Sequence, residues 1–278
     1  MWFIDPPECL LCLTESRFSE LRELGVNRAS AYVNLGRYIM DKATLGRARA
    51  FIESFNELTR LTGLEDPHRQ FKERLEAEAS RIAEGLSRLL GGDVAKHLEA
   101  AALFNSVDVA MRGYRFSLED LEKALSGEVR WIGISRGDVE GLVKGSRSVG
   151  YVVDNAGEFQ IDLLSIRLLR RMGIEVTVYA KSKPYELDVT ADYVKSHVEG
   201  LGVDVVGSGG MNSPLLGDAV KAMARHDLVI AKGLDNYETY LEFKPKTPPI
   251  LFLFRAKCRL IANMLGVGFA SPVAVFVK

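Results

Sequence analysis

Val149-Gly150-Tyr151-Val152-Val153-Asp154-Asn155-Ala156-Gly157-Glu158 decides the reading of this chain. An apolar run with no polar interruption reads as a strand buried on both faces, as parallel strands are when helices cover each side of a sheet. The run then delivers a carboxylate, an amide and a second carboxylate. In open α/β sheets chemistry gathers at the carboxyl ends of strands, and oxygen donors there suit Mg²⁺ or Mn²⁺. Taken alone, Asp154-Asn155 is equally an ordinary turn pair. Gly157 permits a close approach or an unusual turn. Glu158 suits either the orientation of a ligand or water, or the acidic first turn of a helix.

Outward from this stretch, the chain after Gly127 alternates short β-rich runs with helical ones. Strands are expected near 148–153, 175–180, 203–206, 228–231 and 249–254, an alternation that argues for parallel βαβ units. Residues 159–172, with Ile161, Leu164, Ile166, Leu168 and Leu169, form the first crossover helix, closed by Gly173 just beyond its end, and the next strand starts at Ile174. Before Gly127 the texture is helical, with apolar residues such as Leu75, Ala79, Ile82, Leu86 and Leu89 recurring at three and four. Gly25, residues 63–67 and Gly91-Gly92 punctuate it. Ser117-Leu118-Glu119-Asp120 reads as an N-cap followed by an acidic first turn. No internal repeat or low-complexity segment interrupts the pattern. The expected fold is therefore α/β: an N-terminal helical bundle over 1–127, then a Rossmann-like three-layer α/β/α body over 128–278 with a mainly parallel sheet, the two forming a single catalytic unit around a cleft.

Composition narrows the function. The chain has 278 residues, 47% of them hydrophobic, enough to bury a substantial core. Its 36 Lys and Arg balance 37 Asp and Glu, so there is no overall basic field to hold nucleic acid. Met1-Trp2-Phe3-Ile4-Asp5-Pro6-Pro7 lacks a basic leader and an apolar core of the signal-peptide kind, and no apolar run approaches the ~20 residues of a membrane span. A cytoplasmic protein without a membrane partner is expected. Cys9, Cys12 and Cys258 are too few for a disulfide scaffold; structural zinc, a labile disulfide and buried free thiols all stay open. The four histidines are scattered, and G-x-S-x-G, the P-loop and G-x-G-x-x-G are all missing.

Other strand-like runs also deliver polar residues. Leu187-Asp188-Val189-Thr190 supplies a carboxylate. Gly207-Ser208-Gly209-Gly210 is either an anion nest of backbone amides or a plain βα turn. Lys232-Gly233 follows 228–231, and Asn236-Tyr237-Glu238 lies a turn beyond. Lys232 can neutralise a phosphoryl oxygen as a point charge, Asn236 can hold a phosphate or a neighbouring loop, and Glu238 can bond amides at a helix start. Asn105 and Asp108 stand at helical spacing among apolar residues. Lys257 follows the 249–254 run.

That ordered set, together with Cys9-x-x-Cys12, resembles the damage-control phosphatase family, formerly domain of unknown function eighty-nine, in its short prokaryotic branch. The likeness runs over residues 7–266. It implies that Asp154, Asn155 and Asp188 hold a divalent metal (Mg, Mn, Co or Ni) and that these three with Lys232 are catalytic. It further implies that Asn105, Asp108, Glu158, Ser208, Gly209, Asn236 and Lys257 contact or support the substrate. Two positions depart from the family pattern: Leu187 stands where N-D-V-T has asparagine, and Leu215 follows Pro214 where a glycine is usual. The expected function is hydrolysis of small phosphorylated metabolites, sugar phosphates or phosphorylated cofactor precursors, in metabolite damage control; the nucleophile stays open between water, which the metal-binding role of Asp154 favours, and an aspartate. The alternatives are a non-catalytic phosphometabolite sensor, encouraged by Leu187 and Leu215, and, further off, a methyltransferase.

Overall fold

The structure, a computed structural model, describes residues 3–109, 113–117 and 125–278. The capping signal expected over Ser117-Leu118-Glu119-Asp120 lies, beyond Ser117, outside the described residues. Among those described, five helices precede the first strand: α1 (Pro6–Glu23), α2 (Ala29–Lys42), α3 (Arg47–Thr62), α4 (Arg69–Leu90) and α5 (Val94–Leu103). The remainder alternates: β1 (Arg130–Ile132), α6 (Arg136–Lys144), β2 (Ser148–Val152), α7 (Glu158–Arg171), β3 (Glu175–Ala180), α8 (Ala191–Val198), β4 (Asp204–Gly207), α9 (Gly217–Met223), β5 (Leu228–Lys232), α10 (Leu234–Phe243), β6 (Ile250–Arg255), α11 (Arg259–Leu265) and β7 (Pro272–Val277). Gly173, at φ 79°, takes the left-handed conformation just past α7, where a side chain would be strained.

The seven strands form one sheet in the order β1-β7-β6-β5-β2-β3-β4, parallel throughout except where β7 runs antiparallel to β6. Strand alternation sorts the residues to two faces. Leu228 and Ile230 pack with Val149, Tyr151, Val176 and Val178 against α5 to α8. Val229 and Ala231 pack with Val152, Phe252 and Phe254 against α9, α10 and α11. Both faces being covered explains the unbroken apolar runs, and it makes three layers. The chain proceeds from β2 to β3 to β4 on one side and returns to β5 and β6 on the other. The crevice between the ends of β2 and β5 is thus the topological switch point, the place where such sheets bind ligands.

The five N-terminal helices divide between two cores. Residues of α1, α2 and α3, including Leu13, Leu35 and Phe55, close around Tyr185 from the loop after β3. Val94, Leu98 and Ala101 of α5 instead join the core of the sheet, although they lie on the helical side of the boundary expected at 127/128. In α4 the apolar stripe runs through Leu75, Ala79, Ala83 and Leu90, with Ile82 and Leu86 partly buried against the same core, while Leu89 is 75% exposed.

A buried guanidinium ties the first core to the body. Arg17 of α1 pairs with Glu20 and, across the interface, with Glu186, while donating to Ser54 Oγ at 3.0 Å and Tyr185 Oη at 3.3 Å. Replacing it by methionine strips Glu186 of its guanidinium partner and leaves buried Glu20 with His68 alone among the described residues. Arg17→Met is expected to cost about 3 kcal/mol or more in urea unfolding; a loss below about 1 kcal/mol, the range of an exposed pair, would mean that the pair carries no net stability.

Candidate active site

Asp154 follows β2, and Gly233 follows β5, its neighbour across the switch point. Gly233 sits at φ 88°, and a Cβ there would overlap the Asp154 carboxylate. The glycine therefore serves close approach: it lets the carboxylate lie against the β5 backbone. Asp154 is 6% exposed. Its Oδ2 accepts from Asn105 Nδ2 at 3.0 Å and from Asn155 Nδ2 at 3.2 Å.

Two amides orient this corner. Asn155 Nδ2 also donates to Val107 O at 3.0 Å and Glu158 Oε1 at 3.1 Å, which commits its nitrogen and turns its carbonyl oxygen to the opposite side. Asn105 Nδ2 reaches Glu158 Oε2 at 2.6 Å, and its Oδ1 accepts from the Arg255 backbone N–H at 3.1 Å. Asn105 and Asp108 do not share a helix face, as their spacing suggested. The helix stops at Leu103 and both lie in the loop beyond it, where their backbone is free to aim one side chain at Asp154 and the other at Lys257. The α7 terminus is held by α4: Gly157 N–H donates to Glu76 Oε1 at 2.8 Å and Gln160 Nε2 to Glu76 Oε2 at 2.6 Å.

Asp188 arrives from the loop after β3. A backbone bridge joins it to Asn155, and the flanking bonds, Ala156 N–H to Leu187 O at 2.8 Å and Val189 N–H to Asp154 O at 3.0 Å, zip the two loops together. Asp188 Oδ2 accepts from Lys181 Nζ at 2.6 Å, and Lys181 also reaches Asp235 at 3.3 Å. Burial, then the charges of Asp188 and Glu158, push the Asp154 carboxyl well above its usual range. Burial also raises Asp188, against the pull of Lys181. Among the described residues no group of three His, Cys, Asp or Glu side chains is arranged to hold a metal. The donor set here is two carboxylates and one amide oxygen. It fits a hard divalent cation, because such an ion would relieve the mutual repulsion that now raises Asp154 and would take the oxygen that Asn155 leaves unused.

Lys232 lies behind the crevice, paired with carboxylates. It is fully buried, with Nζ 3.1 Å from Glu158 Oε2 and 3.3 Å from Asp162 Oδ1. Burial raises Asp162 to about 6 despite Lys232, and Tyr151 Oη donates to it at 2.9 Å. Lys232 is thus the internal counter-ion of the carboxylate that Asn105 and Asn155 share. Lys257, buried as well, donates to Val107 O at 2.9 Å and pairs with Asp108 at 2.6 Å, beside a carboxyl that burial lifts to about 6.

Other sequence expectations resolve differently. The amides at Ser208, Gly209 and Gly210 bond to Ala180 O, Ser182 Oγ and Ser208 Oγ, so they form an internally satisfied turn rather than an open anion nest. Asn236 donates to Lys232 O at 2.7 Å and accepts from Ser213 Oγ at 2.5 Å, pinning a loop. Glu238 pairs with Arg47 of α3 instead of capping a helix. Leu187 and Leu215 are both core residues, packed with Phe104 and Val107 and with Ala219 and Met223 respectively. Burial followed by the charge of Glu238 raises Cys258 to about 11, unlike an activated nucleophile. The sequence reading missed Lys181, Asp162, Glu76 and Arg47. Lys181 directly follows a strand and was open to the same reasoning as Lys232; the others sit in helices with no local signal.

Fold and site together define a three-layer α/β protein with an acidic, cation-ready crevice at its switch point. The chain belongs to the damage-control phosphatase family, matching the damage-control phosphatase ARMT1-like domain over residues 7–273. It is 28% identical to a damage-control phosphatase of Pyrococcus horikoshii, with 96% of each chain covered, and 27% identical to one of Archaeoglobus fulgidus, with 78% of each covered. An uncharacterized protein of Methanocaldococcus jannaschii is 26% identical over 78% of this chain and 75% of its own. The crystal structure of a DUF89 family protein from Pyrococcus horikoshii superimposes with a TM-score of 0.79 at 25% identity, covering 98% of both chains. Membership supports a hydrolase, a phosphatase in metabolite repair. Among the described residues no helix is long and apolar enough to cross a membrane.

Two substitutions test this geometry. Gly233→Ala is expected to lower thermal stability and weaken divalent-cation binding together, since the new Cβ displaces Asp154; unchanged cation affinity would separate Gly233 from the site. Lys232→Met is expected to cost about 3 kcal/mol or more in denaturant unfolding, the penalty of stranding Glu158 and Asp162. A variant as stable as wild type would return Lys232 to the role of a free phosphate ligand.

Proposed function

We propose that this protein is a divalent-metal-dependent phosphomonoesterase acting on small phosphorylated metabolites, with Asp154, Asn155 and Asp188 as the metal ligands. The observation that carries the reading is the convergence of these three donors from two loops zipped together at the switch point, with the Asp154 carboxyl raised by burial and by the charges of Asp188 and Glu158. A bound divalent cation would neutralise phosphoryl oxygens and polarise phosphorus. The chain's own groups do the rest. Asn105 and Asn155 fix the Asp154 and Glu158 carboxylates, and Lys232 balances the buried charge behind them. Hydrolysis forms a bond from water oxygen to phosphorus, breaks the bond to the leaving oxygen, and delivers a proton to that oxygen. Asp108 and Glu238, raised by burial to about 6 and about 7, can exchange protons near neutral pH and border the same small cavity. A loose phosphoryl transfer asks mainly for positioning and electrostatics, which this arrangement provides. The near-neutral charge balance favours a small anionic partner over nucleic acid. Leu187 and Leu215, the departures behind the sensor reading, act as core residues and so give it no separate support.

Phosphate release from a panel of sugar phosphates and phosphorylated cofactor precursors, each with Mg²⁺, Mn²⁺, Co²⁺ or Ni²⁺, tests the proposal. Asp154→Asn and Asp188→Asn should each lower cation affinity and turnover together while the fold survives. Because Asp154 is raised and must ionise to bind a cation, wild-type affinity should climb with pH and binding should release protons, read as an enthalpy that depends on the buffer. Cation titrations unchanged in both variants would overturn the ligand assignment.

A further inference from the structure

A small cavity of about 50 Å³ lies between the helical region and the crevice, with Cys12, Arg47, Asp108, Glu186, Asp235 and Glu238 in its wall. That is room for one or two waters at ~30 Å³ each, far below the ~300 Å³ at which ligand pockets begin. The wall is acidic, and among the described residues Arg47 is its only cation. The lysines nearby are turned to other work: Lys232 to Glu158 and Asp162, Lys257 to Asp108, Lys181 to Asp188 and Asp235. The one cation on this wall that an anionic substrate would meet is therefore a guanidinium, itself paired with Glu238 and Asp235.

Arg47 is built for that partner. It stacks on Phe51, with Cζ 4.7 Å from the ring centre, so its plane is set in advance. Its guanidinium spans Glu238 and, at 3.5 Å, Asp235 Oδ1. Asp235 Oδ2 in turn meets Lys181, which meets Asp188, so alternating charges run without a break from α3 to an assigned metal ligand. Ala48 N–H, the next residue, donates to Glu242 Oε2 at 2.9 Å, and this docks the start of α3 on α10.

We propose that Arg47 is a phosphate-binding residue, brought into the active site by the helical region and held on Glu238 until the substrate's phosphoryl group takes that carboxylate's place. The inference rests on the phosphatase reading and adds to it a ligand that no strand end supplies. A planar fork of N–H donors matches two phosphoryl oxygens as well as it matches a carboxylate. Entry of a substrate must also shift α1 and α3 outward, since the closed cavity is too small.

The test is calorimetric titration of inorganic phosphate into the full chain loaded with Mn²⁺, with thermal unfolding recorded for each variant. Arg47→Ala should weaken phosphate binding on the order of tenfold or more, and Arg47→Lys should recover part of it. Glu238→Gln, which frees Arg47, should tighten phosphate binding. A merely structural pair predicts the opposite for that last variant, because both members would then weaken binding alike. Equal losses in Arg47→Ala and Glu238→Gln, or wild-type phosphate affinity in Arg47→Ala, would overturn the assignment. If Arg47→Ala fails to fold, Arg47→Lys and Glu238→Gln still decide. Wild-type protein that releases phosphate from substrates while Arg47→Ala binds phosphate normally sinks only the role of Arg47. Wild-type protein that neither releases nor binds phosphate sinks the phosphatase reading as well.

Discussion

Carboxylates crowded into a dry crevice are the constraint on which the site's organisation depends. Asp154, Glu158, Asp162 and Asp188 are all at least nine-tenths buried around the ends of β2 and β5. Left alone, such a group would protonate or drive the loops apart. The fold answers with buried cations from three separate strand ends: Lys181 after β3, Lys232 at the end of β5 and Lys257 beyond β6. Each lysine is raised in turn by the carboxylates it meets, although burial works against it. The compensation is incomplete at Asp154, which remains raised. That unbalanced charge distinguishes the crevice from a closed salt-bridge network and is the basis on which a cation is proposed there.

The helical region takes part in the same electrostatics. Arg17 crosses from α1 to Glu186, two residues before Asp188, and Arg47 crosses from α3 to Asp235 and Glu238. His68 meets Glu20 at 3.0 Å and Lys72 meets the Asp188 carbonyl at 3.5 Å, so α4 is drawn in too. Helices that sequence texture marks as a bundle are therefore fastened to the loop after β3 and to α10 by ion pairs, with an aromatic pair, Phe55 and Tyr185 at 5.1 Å, packed between.

Family membership and the particular chemistry of this chain fit together with two adjustments. Leu187 gives up a polar side chain next to Asp188 but contributes its carbonyl to the bond with Ala156 and its side chain to the core, so the loop is held by backbone and packing. Leu215 is likewise buried, and the turn around it is stabilised by Ser213 Oγ accepting from its N–H at 3.1 Å. Cys9 and Cys12 near the N-terminus are both half-buried.

Local pattern was enough for the architecture. Short apolar runs alternating with helical stretches placed β2, β3, β5 and β6 within a residue or two, Gly173 marked the end of α7, and the rule that polar groups gather at strand ends drew attention to Asp154 and Asn155. These are properties of neighbours in sequence, and burial on both faces leaves its mark on every residue of a strand. The short edge strand β1 and the antiparallel β7 left weaker marks, having little or no alternation to distinguish them. Sequence alone did not decide which cation answers which carboxylate. Lys232 and Lys257 look alike at the ends of their strands, yet one is sealed behind Glu158 and the other against Asp108; Arg47, 188 positions from Asp235, carries no local sign of belonging to the site. Coulomb interactions and desolvation depend on distance and burial, and both are set only when the sheet, the loops and the helices have come together.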